Sequence, residues 1–122
     1  MIGELIVVIV NSGYEEKVMS AARSVGARGG TIFNARGTAQ SQDLVKFMGI
    51  TLHPNKGIIL ILSNKESRDD IMTAIKKETG LATEGAGIIF SLPVDSVMGI
   101  NFGGQKQDDE DEVIEQKTEE NN

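Results

Sequence analysis

The stretch "ATEGAGIIFSLPVDSV", residues 82–97, sets Gly85 and Gly87 directly before an apolar run. Glycine lets a backbone come close to a ligand, and successive N–H groups can form a concavity that binds anions. The chemistry such a loop could offer is phosphate binding. Strong phosphate loops usually add a cation, yet Ala86 separates the glycines and Ile88 follows them. A charge-assisted hydrogen bond is roughly twice as strong as a neutral one, so phosphate held here is expected to bind weakly. By order along the chain, Arg28 and Arg36 are the candidate cations. The alternative is a tight turn between a helix and a strand.

Other chemistries find little support. The chain has no cysteine, which removes disulfides, thiolate metal sites and a cysteine nucleophile. That usage suits a cytoplasmic protein. His53 is the only histidine and has no second imidazole to share a metal with, so no metal is expected. Ser12, Ser63 and Ser67 stand at helix starts, no serine lies in a nucleophile-elbow pattern, and no acidic pair stands out. No catalytic residue is expected, and the protein reads as a non-enzyme.

The net charge of −6 is concentrated at one end. Residues 105–122 hold eight acids and two lysines, which leaves ten acids and ten bases in the body. A neutral body carries no electrostatic footprint for nucleic acid. The tail reads as acidic and solvated. No stretch reaches the roughly 18 apolar residues of a membrane span. The opening "MIGELIVVIVNSGYEE" lacks a basic n-region and a cleavage site, and reads as a first strand.

The elements that would position the glycine loop follow from periodicity. "ELIVVIV" is apolar on both sides of the pleat, as in a strand covered on both faces. "SGYEEKVMSAARSVGARGG" reads as a helix, with Ser12 and Glu15 at capping-box spacing and Val18, Ala21, Ala22 and Val25 on one stripe. Gly26 is its stop. "GTIFNA" and "GIILILS" read as strands. "SNKESRDDIMTAIKKETG" reads as a second helix, capped near Ser63 or Ser67, turning Ile71, Ala74 and Ile75 inward and stopping at Gly80. "GIIFSLPV" is the fourth strand, and Phe33 and Phe90 are assigned to the core.

The order β-α-β-β-α-β is the ferredoxin-like split unit, an α+β fold with an antiparallel sheet and both helices on one face. A solvated sheet face would alternate apolar and polar residues. These strands do not, so the open face is expected to pack on further copies of the chain. Between strands two and three runs "RGTAQSQDLVKFMGITLHPNK", residues 36–56. Structureless connections beyond about 12–15 residues are uncommon and often functional. This one carries Leu44, Phe47, Met48 and Ile50, which makes it a candidate partner-docking surface.

This element order, "GARGGTIF", the long connection and "GAGIIFSLPVDSV" together resemble the PII nitrogen-regulatory signalling family, over roughly residues 2–100. The resemblance implies a domain at 1–104, with a T-loop at about 36–56 and a B-loop at about 80–88, followed by the tail at 105–122. It also implies a homotrimer that binds ATP or ADP in clefts between subunits and regulates a partner, such as a transporter or enzyme, through the T-loop. Carried over by position, Gly37 lies at the T-loop base, while Gly85 and Gly87 match the two B-loop glycines. Ala86 stands where the family has an aspartate, and Ile88 where it has a phosphate-binding lysine. Gln40, Gly99 and Asn101 stand where it has arginines. Thr38, Ala39 and Gln40 do not reproduce the family's grip on metal and 2-oxoglutarate. The expectation is a nucleotide sensor with weakened or altered affinity; the alternative is a nucleotide-independent trimeric adaptor on the same scaffold.

Overall fold

The structure, a computed structural model, describes residues 3–38 and 54–100. Leu44, Phe47, Met48 and Ile50 of the long connection, together with Gln40, His53, Asn101 and the acidic tail, lie outside the described residues. Six elements follow one another: β1 (Gly3–Asn11), α1 (Glu15–Ser24), β2 (Thr31–Arg36), β3 (Asn55–Ser63), α2 (Arg68–Thr79) and β4 (Ile88–Val94). The strands form one sheet in the order β2-β3-β1-β4, and each neighbouring pair is antiparallel. This is the ferredoxin-like arrangement expected from the element order.

The register divides the sheet into two faces, because directly paired residues point the same way. Ile6 pairs with Ile61, and Val8 with Ile59 and Ile89. These residues meet Val18, Met19, Ala22, Ile71 and Ile75 of the helices in the core. Ile6, Val8, Val10, Ile59, Ile61 and Ile75 are all fully buried. On the other face Leu5, Val7 and Ile9 lie between Leu62, Leu60 and Ile58 on one side and Leu92, Phe90 and Ile88 on the other. Phe33 joins them opposite Ile58. No described helix covers this face, and Phe33, Phe90, Leu92 and Ile88 are 46%, 42%, 49% and 55% exposed. The assignment of Phe33 and Phe90 to the core is therefore corrected. Their strand parity turns them away from the helices.

The helix ends differ from their sequence signals. Tyr14, not Ser12, precedes the first turn of α1, and no side chain caps it. The Glu15 carboxylate instead accepts the Gly13 N–H at 2.9 Å. Met19 occupies the buried stripe, while Val25, assigned to it, is 39% exposed beyond the last turn. Gly26 follows with a φ of 106°, a left-handed conformation suited to a helix stop. Ser67 precedes α2 without a side-chain cap; the Asn64 side-chain oxygen accepts the Ser67 N–H at 2.8 Å. Gly80 follows α2, and its N–H donates to the Lys76 carbonyl at 2.9 Å.

Candidate functional site

Antiparallel pairing brings distant segments to one end of the sheet. Asn11, last in β1, lies opposite Lys56 near the start of β3. Ala35 and Arg36 of β2 lie opposite Lys56 and Asn55. The Gly37 N–H donates to the Pro54 carbonyl at 2.7 Å, which closes the base of the connection between β2 and β3. Ile88, first in β4, lies opposite Ile9, so the loop from Gly80 to Gly87 arrives at this same end.

That loop is tightly built. The Ala86 N–H donates to the Thr83 carbonyl at 2.9 Å and the Gly87 N–H to the Thr79 carbonyl at 2.7 Å. The Gly85 carbonyl accepts the Asn11 N–H at 2.8 Å. A Cβ on Gly87 would run into the Thr79 carbonyl, and one on Gly85 would lie 3.2 Å from Thr79. Glycine is therefore required at position 87 by close approach to the last turn of α2, while at position 85 a side chain would press on Thr79. Ala86 adopts a φ of 49°, which is costly for a residue carrying a Cβ. Two of the amides that an anion nest would present are already donated, one within the loop and one to the end of α2.

A run of polar side chains joins the loop to the base of the long connection. Asn11 is fully buried at the end of an apolar strand. Its side-chain Nδ2 donates to the Glu84 carbonyl at 2.9 Å, and its Oδ1 accepts from Lys56 Nζ at 2.7 Å. Burial lowers the Lys56 ammonium below the usual lysine range. The Tyr14 hydroxyl donates to Glu84 Oε1 at 2.9 Å. That bond, with a smaller contribution from desolvation and from the Glu84 charge, raises the Tyr14 phenol above its ordinary value. The Glu15 carboxylate lies against Gly57, where a Cβ would meet it.

The opposite end of the sheet mixes apolar strand residues with polar ones. A cleft of about 540 Å³ lies between Leu5, Leu60, Leu62 and Ile71, with Gly26 to Thr31 on one wall, Ser63, Asn64 and Ser67 on another, and Ile100 beside them. Its size falls within the roughly 300–1,000 Å³ usual for small-molecule pockets. Gly30 shapes this wall, since a Cβ there would lie 2.9 Å from the Met19 sulfur and 3.0 Å from the Leu60 carbonyl.

The sequence-derived site residues thus separate. Gly37, Arg36, Gly85, Ala86, Gly87 and Ile88 share one end of the sheet, whereas Arg28 lines the cleft at the other. Sequence reasoning passed over Asn11, Tyr14, Lys56 and Glu84. One signal was present: Asn11 is a polar residue closing an apolar run, and Lys56 stands just before another. Among the described residues no cluster of metal-ligating side chains forms, and no helix is long and apolar enough to cross a membrane.

The sheet order, the helices on one face and two glycine-bearing connections at one end define a ferredoxin-like module. Residues 3–103 match the family described as Nitrogen regulatory protein P-II, and the chain belongs to that family of signalling proteins. Its fold is similar to that of Arabidopsis thaliana PII in a crystal structure bound to citrate, with 24% identity, a TM-score of 0.60, and coverage of 79% of this chain and 78% of that one. It is also similar to a Thermus thermophilus protein described as PII-like, with 18% identity, a TM-score of 0.55, and coverage of 74% of this chain and 83% of that one. At these identities both likenesses concern the fold. No curated protein matches the sequence.

Proposed function

We propose that this protein is a PII-type sensor that assembles as a trimer, binds an adenine nucleotide between protomers and signals through its T-loop to a partner such as a transporter or metabolic enzyme. The observation that carries the reading is the meeting of Gly37, Lys56, Asn11 and the Gly85–Gly87 loop at one end of the sheet. A T-loop rooted at Gly37 and Pro54 would leave the body beside any ligand held there. Lys56 supports the fit, since it supplies from β3 a cation that the loop itself lacks.

The assembly is part of the reading. Leu5, at the cleft, and Asn11, at the loop, are six residues apart on β1, which is roughly 20 Å at about 3.3 Å per residue. One nucleotide would therefore meet both only where two copies adjoin, its base in the apolar cleft near Arg28 and its phosphates beside Lys56. The uncovered face supplies the driving force for such packing, because monomers rarely expose apolar patches beyond roughly a few hundred Å².

One observation favours the second reading, a nucleotide-independent trimeric adaptor. The Ala86 and Gly87 amides are donated to the loop itself and to the end of α2, as they would be if the loop served only as a turn. Calorimetric titration with ATP, ADP, AMP and citrate separates the two. Saturable heat from a nucleotide supports the sensor. Silence at millimolar nucleotide removes it, and citrate binding alone would reassign the effector to a polycarboxylate.

A further inference from the structure

We infer that Asn11 is a positioning residue for anion capture: its side-chain amide pins the peptide between Glu84 and Gly85 so that the Gly85 N–H stands as the open donor of the loop. The inference rests on the reading above in placing an anionic ligand at this end of the sheet. It names the donor and the residue that aims it.

The bonding of the loop singles out Gly85. Four residues of the 80–87 loop are buried, Gly80, Gly85, Ala86 and Gly87. Gly80 donates its N–H to the Lys76 carbonyl, Ala86 to that of Thr83 and Gly87 to that of Thr79. The Gly85 N–H has no acceptor among the described residues. Buried backbone N–H groups are nearly always paired, whether with protein, water or a ligand. An open one at this end of the sheet is a donor that an anion can take.

Asn11 fixes the direction of that donor. Its Nδ2 donates to the Glu84 carbonyl at 2.9 Å, and its backbone N–H donates to the Gly85 carbonyl at 2.8 Å. The peptide between Glu84 and Gly85 is trans. A planar trans peptide points its C=O and N–H in opposite directions. Drawing the Glu84 carbonyl toward Asn11 therefore turns the Gly85 N–H away from it. Lys56 in turn fixes the Asn11 amide, with Nζ 2.7 Å from Oδ1. An ammonium only donates and a carbonyl only accepts, so one orientation of the amide satisfies both partners. This bond uses one of the three ammonium donors, which lets Lys56 hold Asn11 and meet an anion together. Asn11 is fully buried at the end of an aliphatic run, Leu5 to Val10. A buried amide that breaks the local apolar pattern is the kind of departure found at functional positions.

NMR titration with pyrophosphate, citrate and ATP tests the donor directly. In the unsubstituted protein the Gly85 amide proton is expected to move downfield as the anion binds. It should move further than those of Ala86 and Gly87, whose N–H groups are already donated. Comparison of pyrophosphate with citrate assigns the ligand to phosphate or carboxylate chemistry. Binding that leaves the Gly85 proton in place overturns the inference while the sensor reading stands. Absence of binding by all three removes that reading and the inference with it. Two variants test Asn11. Asn11→Asp keeps an oxygen for Lys56 and removes the donor to Glu84, whereas Asn11→Leu removes both. In each, the ligand-free Gly85 nitrogen is expected to move upfield, because the preceding carbonyl has lost its donor. Unmoved amides of Ile59 and Ile61 would show that the core is intact. Asn11→Leu is expected to weaken pyrophosphate about three- to tenfold, the worth of one neutral hydrogen bond. A Gly85 resonance that stays in place in both variants, or full pyrophosphate affinity in Asn11→Leu, overturns the role of Asn11.

Discussion

The two faces of the sheet use nearly the same residues to different ends. Toward the helices, Ile6, Val8, Ile59 and Ile61 are fully buried and define the protomer. Away from them, Leu62, Phe90 and Leu92 remain 38%, 42% and 49% exposed, though they are at least as large and as apolar. Residue type alone therefore does not separate the covered face from the open one. Register does, because each one-residue step along a strand exchanges one face for the other. The faces also end differently. The open face runs Leu5, Val7, Ile9 and then Asn11 along β1, beside Leu62, Leu60, Ile58 and then Lys56 along β3. Its greasy expanse gives way to polar groups at the end where the two glycine-bearing connections meet.

The sharpest way to break this comparison is to truncate the covered face. Ile59→Ala is expected to cost about 2–5 kcal/mol, as other buried large-to-small changes do, read from urea unfolding of the protomer. A similar loss from Leu92→Ala, with self-association unchanged, would erase the distinction between the faces. The second test acts on the open face. Phe90→Asp is expected to leave the secondary structure intact by circular dichroism while light scattering falls from the oligomer to the protomer mass. An oligomer that survives the substitution would mean that this face is not the joint between copies.

The smallest effect reads the polar rim. The chain has one tyrosine and no tryptophan, so ultraviolet titration at high pH follows Tyr14 alone. Its phenol should titrate above its ordinary value, about 10, and Glu84→Gln should bring it back toward that value. The sign for stability follows from linkage. A phenol whose folded pKa is raised holds its proton longer in the folded state. Its contribution is present below the unfolded value and lost as pH rises through the folded one. An unshifted phenol in the unsubstituted protein would dissolve the link between Tyr14 and the loop.

The fold was legible because its signals are local. Runs such as "ELIVVIV" and "GIILILS" can hardly be anything but strands, and Gly26 and Gly80 end helices where they stand. The capping signal of Ser12 and Glu15 misled, since Glu15 turned to the Gly13 N–H and no side chain caps the helix. Phe33 and Phe90 misled for want of register. The site was less legible because its bonds span long separations. Asn11 and Lys56 are 45 residues apart, and Asn11 and Glu84 are 73 apart. Order along the chain pointed to Arg28, which the fold carried to the far cleft. No sequence pattern gives the use of the Ala86 and Gly87 amides, which depends on how closely the loop lies on the end of α2.

The register at the other end of β1 has a practical corollary. Gly3 lies opposite Val94, so the described body is entered and left at the side remote from Asn11 and Lys56. A tether, dye or sensor surface attached near either boundary would present the glycine loops outward. The fold thus keeps its points of attachment apart from the end where the two glycine-bearing connections meet.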